Sequence, residues 1–308
     1  MSTSSIPAST PLTALSVADY LSCLQVVMVN TTLPANIGSA ARAMHTMGLS
    51  RLTVVDPKHP IDDTSVSHAA GGSDVLSAAT ITPTLETAIS DCQLVFAASS
   101  RSRHLPRPVV TPTQAAKIML DFIDKQTAIN KPNDSNKALK DKTNKPDIAI
   151  LFGREDRGLT NEELAYADYH IQIDANPAYP VLNVASAIQV IASFIFAYAQ
   201  DHSTIVHNTA IDNLVVNGNI EEENIDNSIA QPILNTYMRQ QWDEPAITQQ
   251  QLQQLTQRVT ELMIQRNLAD AEHLKSLPSR LSRLGSRIQL DQKEFQLLSA
   301  LIAKLLKD

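Results

Sequence analysis

An uninterrupted apolar run over 148–152 stops at Gly153 and gives way at once to four charged residues, Arg154, Glu155, Asp156 and Arg157. A run without polar alternation is the pattern of a strand covered on both faces. The chain is therefore expected to fold as an α/β protein, a mostly parallel sheet with helices on both faces. Charge gathered where such a strand ends falls at the carboxyl edge of the sheet, where loop backbone and helix N-termini converge and ligands bind. A second strand, predicted at 170–173, leads through Asn176, Pro177, Tyr179 and Pro180 to Leu182 and Asn183, which open an apolar helix of about four turns. Two loops thus leave two strands at one edge. Taken alone, Gly153-Arg154-Glu155 fits an ordinary solvated turn better than a site, because short motifs match by accident.

Upstream, 24–30 (LQVVMVN) predicts a strand and 31–35 a loop. Asn36 is expected to cap a helix reading IGSAARAMHTM that Gly48 closes at the C′ position, with the next strand of a βαβ unit at 51–55. The small residues Gly38, Ser39, Ala40 and Ala41 predict that something packs closely on this helix. Arg42 lies about one and a half turns in, near the same sheet edge; by itself it reads as a surface arginine. A helix around 84–90 and a strand at 93–98 follow, and that strand ends in Ser99, Ser100, Arg101, Ser102, Arg103 and His104. Hydroxyls and guanidinium groups there suit an anionic ligand or RNA phosphate, since arginine offers bidentate donors. A solvated turn explains the segment equally well.

The chain has 308 residues and is 43% hydrophobic, enough for one large domain or two. Its two cysteines, Cys23 and Cys92, lie beside predicted strands and read as small buried residues rather than a disulfide or metal site. No Lys or Arg precedes Arg42, and residues 1–20 hold no continuous apolar run, so neither a signal nor a transit peptide is expected. The apolar segment 184–199 is interrupted by Ser186, Gln189 and Ser193 and is short for a bilayer. The expectation is a cytoplasmic protein with no membrane contact. Net charge is −7, and residues 201–245, with one Arg against eight Asp and Glu, carry all of it. The remaining surface is free to present basic patches.

The segmentation expected is a flexible N-terminal extension at 1–22 and an α/β domain at 23–200 interrupted by a polar surface insertion at 126–147. An acidic linker at 201–230 and a helical C-terminal domain at 231–308 follow, with helices at 231–241, 248–267 and 293–306. Between the last two helices Lys275, Arg280, Arg283 and Arg287 form a basic strip with no acid from 273 to 290, fit to touch a phosphate backbone or to be a solvated face. No G-x-G-x-x-G, P-loop or H-E-x-x-H pattern occurs, which removes support for dinucleotide, P-loop and zinc-protease chemistry.

Three motifs in order resemble the SPOUT superfamily of RNA methyltransferases, named for a deep trefoil knot: Asn36, Gly38 and Arg42; then Phe152-Gly153-Arg154-Glu155 with Gly158-Leu159; then 173–183. Members that act on tRNA are similar also at AGGSDV (70–75), SSRSRHL (99–105) and ANPAY (175–179). The resemblance implies S-adenosylmethionine, bound in bent form at Ala98, Ser99, Ser100, Gly153, Ile173, Pro180, Val181 and Leu182, mainly through backbone groups. Where members carry a serine before Leu-Asn, this chain has Pro180-Val181, which leaves the backbone contacts. The implied reaction is 2′-O-methylation of a pyrimidine ribose at tRNA nucleotide 32, without a metal. Arg42 would stabilise charge, since a guanidinium is too weakly acidic to serve as a base at neutral pH, while Asn36, Glu155 and Asn183 shape the pocket. Arg101, Arg103 and the basic strip would contact RNA, and the enzyme would be a homodimer with its site at the interface. Ribosomal RNA as substrate, and a noncatalytic RNA-binding protein on the same fold, are the alternatives. A nicotinamide-dependent oxidoreductase lacks its glycine fingerprint.

Overall fold

Apolar runs of the kind seen at 148–152 build the centre of the sheet. The computed structural model describes residues 15–99, 107–129, 145–215 and 244–307. Its strands are β1 (Leu24–Val29), β2 (Arg51–Val55), β3 (Thr80–Thr82), β4 (Leu94–Ala98), β5 (Val109–Val110), β6 (Ile148–Phe152) and β7 (Tyr169–Ile171). They form one seven-stranded sheet in the order β3-β2-β1-β6-β4-β7-β5, and every pairing is parallel. Strands β1 and β6 are buried along their whole length, because side chains alternate between two covered faces. Val26, Met28, Ile150 and Phe152 join one core cluster. Val27, Val29, Ala149 and Leu151 join the other.

The helices are α1 (Val17–Ser22), α2 (Pro34–Thr46), α3 (Asp63–Ala69), α4 (Ser73–Ser77), α5 (Leu85–Ile89), α6 (Pro112–Ile129), α7 (Asn161–Leu164), α8 (Val184–Val215), α9 (Gln249–Gln265), α10 (Leu277–Ile288) and α11 (Gln292–Leu305). The larger core face lies under α2, α6 and α8 through Ile37, Met44, Met119, Phe122, Ile188 and Ile195. Leu85 and Ile89 of α5 and Leu164 of α7 cover the other face.

Five expectations shift. Residues 17–22, expected in a flexible extension, form α1, whose Tyr20 and Leu21 are buried in the larger core. Helix α2 starts at Pro34, with Leu33 as N-cap and no side-chain cap bond. Proline is favoured at the first helical position, where its missing N–H is no loss, so Asn36 lies inside the first turn and is free for another task. Helix α6 runs to Ile129, so 126–129 is helix rather than insertion; Gln126 is buried and its Oε1 accepts from the Ala246 N–H at 2.8 Å. The strand expected at 170–173 is Tyr169–Ile171. Helix α8 continues to Val215, well past four turns and into the stretch read as linker. Its portion Val184–Thr204 is long and apolar enough to cross a membrane. Within it Ile188, Ile191, Ile195 and Ala199 are buried in the core, while Phe194 is exposed. The helix expected at 231–241 and most of the insertion, 130–144, lie outside the described residues.

Gly48 takes the left-handed conformation expected at C′, with φ 70°. The small residues of α2 meet the chain's own next helix. A Cβ on Gly38 would stand 2.0 Å from the Ser65 carbonyl oxygen of α3, and one on Gly72 would stand 2.6 Å from the Ala41 carbonyl oxygen. Cys23 and Cys92 are free and buried, and burial pushes their thiols up to about 11 and about 12.

The C-terminal helices share a small core of Ile247, Leu252, Leu255, Leu290 and Ile302. They attach at the amino edge of the sheet. The first N–H groups of α9, at Gln249 and Gln250, donate to the carbonyls of Cys92 (2.8 Å) and Ser90 (3.2 Å), which satisfies donors that a helix start leaves unpaired. Asp168, just before β7, accepts from the Val95 N–H at 2.8 Å and from Gln249 Nε2 at 3.4 Å. Desolvation pushes its carboxyl up to about 6 against the opposing pull of Arg107.

Gly38→Ala is expected to destabilise the fold by about 1–3 kcal/mol or more, because the added methyl meets a backbone carbonyl that cannot rotate away. Urea unfolding checks this; an unchanged midpoint would mean that α3 does not seat against α2.

Candidate active site

Adjacent strands β6, β4 and β7 send their loops to the carboxyl edge, and the loops enclose one cleft with about 870 Å³ of non-atom space, part of it open to solvent. Ala98 and Ser99 enter from β4, residues 153–159 from β6, and Ile173 with 180–182 from the loop after β7, while Val184 and Ala187 of α8 close the floor. Seven of the expected cofactor-contacting residues, Ala98, Ser99, Gly153, Ile173, Pro180, Val181 and Leu182, therefore line the same cleft. Ser100, Arg101 and Arg103 lie outside the described residues.

The β6 loop doubles back on itself. Arg154 and Gly158 form an antiparallel bridge, and Gly158 has φ 70°. A Cβ on Gly153 would stand 2.2 Å from the Gly158 carbonyl carbon and the Leu159 nitrogen, so only glycine allows the return strand so close. Arg154 fills the turn: it donates to Glu163 Oε1 at 2.9 Å, to the Gly158 carbonyl at 3.5 Å, and to the Asn30 side-chain oxygen. Glu163 in turn closes a capping box with Thr160 at the start of α7.

Glu155 reaches away from this turn to the start of α2. Its carboxylate accepts the Thr32 N–H at 3.0 Å, the Leu33 N–H at 3.1 Å and Asn36 Nδ2 at 2.8 Å. Burial would raise its pKa, but these hydrogen bonds outweigh burial and hold the carboxyl below the usual value of 4.5. Anionic Glu155 thus does for α2 what the missing capping side chain does not, and the positive end of the helix favours it. Asn36 Oδ1 accepts from Asn183 Nδ2 at 3.1 Å, and Asn183 Oδ1 accepts the Ala185 N–H at 2.9 Å at the start of α8. One hydrogen-bonded chain, Glu155 to Asn36 to Asn183, joins segments far apart in sequence.

Arg42 is not brought into the cleft. It is exposed on α2, absent from the lining, and its guanidinium has no partner among the described residues. The basic strip is farther away. Arg280, Arg283 and Arg287 ride on α10 and Lys275 on the turn before it; α10 packs on α9, which is anchored at the amino edge, so a sheet about 17 Å deep separates the strip from the cleft.

Sequence reasoning missed three participants. Asp156 and Arg157 line the cleft, although their place in the charged run was visible. Asn30, at φ 50°, fixes Arg154 and donates to Asp56 at 2.9 Å; an asparagine directly after a strand is a known sign of the left-handed conformation. Among the described residues, no group of His, Cys, Asp and Glu is arranged to hold a metal ion.

The sequence matches the SpoU rRNA Methylase family over residues 23–193. The chain belongs to this family. It is 38% identical over 168 residues to the tRNA (cytidine/uridine/adenosine-2′-O-)-methyltransferase TrmJ of Pseudomonas aeruginosa, covering 54% of this chain and 58% of that one. It is 41% identical over 169 residues to the tRNA (cytidine/uridine-2′-O-)-methyltransferase TrmJ of Escherichia coli, covering 55% and 61%. The match thus spans about three-fifths of the length of these curated relatives. Among solved structures, TrmJ from Z. mobilis superposes with a TM-score of 0.65 over 91% of this chain and 98% of that one at 23% identity, a likeness of fold that includes the C-terminal helices. A probable methyltransferase from Bordetella pertussis shares 32% identity and a TM-score of 0.51 over 59% of this chain and 99% of that one. The SpoU fold and the seven-stranded parallel sheet agree with the α/β expectation.

Because the folded Glu155 carboxyl titrates below its unfolded value, its contribution to stability is complete above pH 4.5 and is lost as pH falls through the folded value. Glu155→Gln is therefore expected to lower stability at pH 7 by about 1 kcal/mol, after solvent screening, with the gap to the parent closing on acidification. Unfolding curves for both proteins between neutral pH and about pH 3 check the sign; a gap that widens in acid would contradict the assignment.

Proposed function

We propose that this protein is an S-adenosylmethionine-dependent RNA methyltransferase that acts on the ribose 2′-OH of a pyrimidine in tRNA, at nucleotide 32 of the anticodon loop. The observation that carries the reading is the convergence of three loops from adjacent strands on one cleft, locked by Glu155, Asn36 and Asn183. Membership of the SpoU family and the names of the curated relatives support it. The family's description mentions rRNA, which makes ribosomal RNA the second substrate reading.

The cleft fits such a cofactor chemically. Its walls are apolar at Ile171, Ile173, Leu182 and Val184, and its rims are loop backbone at Ser99, Gly153 and 180–182, suited to a flat heterocycle held by main-chain groups. The cofactor supplies an electrophilic methyl group on a sulfonium. The chain must orient the ribose, exclude water, and stabilise negative charge that develops on a weakly acidic hydroxyl. We assign the last task to Arg42. Since Arg42 stands outside the cleft of its own chain, the proposal includes a homodimer in which it serves the cleft of a second copy. Asn36, Glu155 and Asn183 hold the loops rather than react. The C-terminal helices form a unit that grips RNA through Lys275, Arg280, Arg283 and Arg287, joined by Arg101 and Arg103 of the β4 loop. A tRNA substrate puts the protein in the cytoplasm.

Purified protein, labelled S-adenosylmethionine and unmodified tRNA should yield a 2′-O-methyl group at nucleotide 32. Label in ribosomal RNA alone would select the second reading, and label in neither would leave a noncatalytic RNA-binding protein. Arg42→Ala is expected to cut turnover by at least about a hundredfold, the scale of losing one transition-state stabiliser, with cofactor affinity nearly intact. Turnover close to the parent's would remove Arg42 from the role.

Phosphate contacts release counterions, so each one lost should flatten the plot of log affinity against log salt by roughly 0.7–0.9. Joint charge reversal of the exposed Arg280 and Arg287 is expected to weaken tRNA binding and reduce that slope while leaving cofactor binding intact. Identical slopes would make the strip a solvated face.

A further inference from the structure

Tyr179 is the most exposed large apolar side chain among the described residues, at 77%. Its position is nevertheless fixed. Asn176 opens a turn in which its carbonyl accepts the Tyr179 N–H at 2.9 Å and its Oδ1 accepts the Ala178 N–H at 3.0 Å. Pro177 and Pro180 flank Tyr179 along the chain and restrict the backbone. The ring packs in no core cluster, and its hydroxyl has no hydrogen-bond partner among the described residues. Folding alone gives no reason for an aromatic here, since a small polar residue would serve a solvated turn. The turn runs directly into 180–182, which wall the cleft, and Val181 and Leu182 stay 51% and 38% exposed beside it. The cleft rim thus presents an exposed ring, carried on a hydrogen-bonded turn, beside the residues that wall the cleft.

Resting on the reading of the cleft as an RNA ribose methylation site, we propose that Tyr179 is a base-stacking platform that holds a nucleobase of the RNA strand whose ribose enters the cleft. The reacting hydroxyl belongs to the ribose, a group common to all nucleotides, so the base must be held without the reaction depending on its identity. Stacking does this, because every base has a π face, and unpaired loop bases are commonly held on aromatic side chains. Arg157, which also lines the cleft, puts a guanidinium on the same rim in an exposed ion pair with Asp156 at 3.0 Å, a weak pairing that a strand phosphate can replace.

Full-length Tyr179→Ala, Tyr179→Phe and parent protein are to be compared in methylation of unmodified tRNA, with S-adenosylmethionine binding by calorimetry and mass by light scattering. The expected result is a KM for tRNA raised about tenfold in Tyr179→Ala, the scale of losing one stacked base, with cofactor affinity and mass unchanged. Tyr179→Phe should restore the parent value, because the ring and not the hydroxyl stacks. An unchanged KM in Tyr179→Ala, or a Tyr179→Phe as impaired as Tyr179→Ala, overturns the stacking role alone. A raised KM accompanied by dissociation to monomers overturns it in favour of a contact between two copies. A parent protein that methylates no RNA overturns the reading of the site and the platform with it.

Discussion

A half-buried carboxylate holds this cleft together. Glu155 leaves the β6 loop and accepts two backbone N–H groups and one side-chain amide at the start of α2. Helix α2 has no capping side chain of its own, and the carboxylate is the negative group that its first turn favours. Remove that interaction and the first loop loses its reference to the second. Asn36 would also lose the partner that orients its amide, and with it the bond to Asn183 that sets the start of α8. Several loops therefore behave as one unit because a single charge is satisfied three times.

The neighbouring Arg154 does the same work on the other side of the loop. With Glu163, the Gly158 carbonyl and Asn30 around it, the guanidinium fills a turn that glycine at 153 makes close enough to fill. Adjacent residues of opposite charge point in opposite directions, one toward α2 and one toward α7. A run that reads as solvated charge is in fact a pair of anchors, with only Asp156 and Arg157 left on the surface as an exposed ion pair.

The two ends of the sheet carry different tasks. The cleft is built at the carboxyl edge, while the C-terminal helices are held at the amino edge by backbone carbonyls of Ser90 and Cys92 and by the side chain of Gln126. A strip of positive charge on α10 is thus displaced from the cleft by the depth of the sheet. Any RNA that touches both must be long on the molecular scale, or must span two copies.

The layered α/β fold, the order of the loops and most of the cleft lining were legible in the amino-acid sequence. Strands buried on both faces need continuous apolar residues, and close backbone returns need glycine; both requirements are local and leave marks at fixed positions such as 148–152 and Gly153. Tertiary structure alone decided what depended on distant partners. Asn36 looked like a cap because capping preference is local, yet its amide is claimed by Glu155 and Asn183, more than a hundred residues away. Small residues on α2 announced close packing without naming α3 as the partner. The acidic composition after residue 200 suggested a linker, but α8 continues to Val215, since composition does not mark where a helix ends. Arg42 and the basic strip carried no mark of their distance from the cleft, because position across a sheet follows from which edge a segment docks on, and no local pattern of residues encodes that.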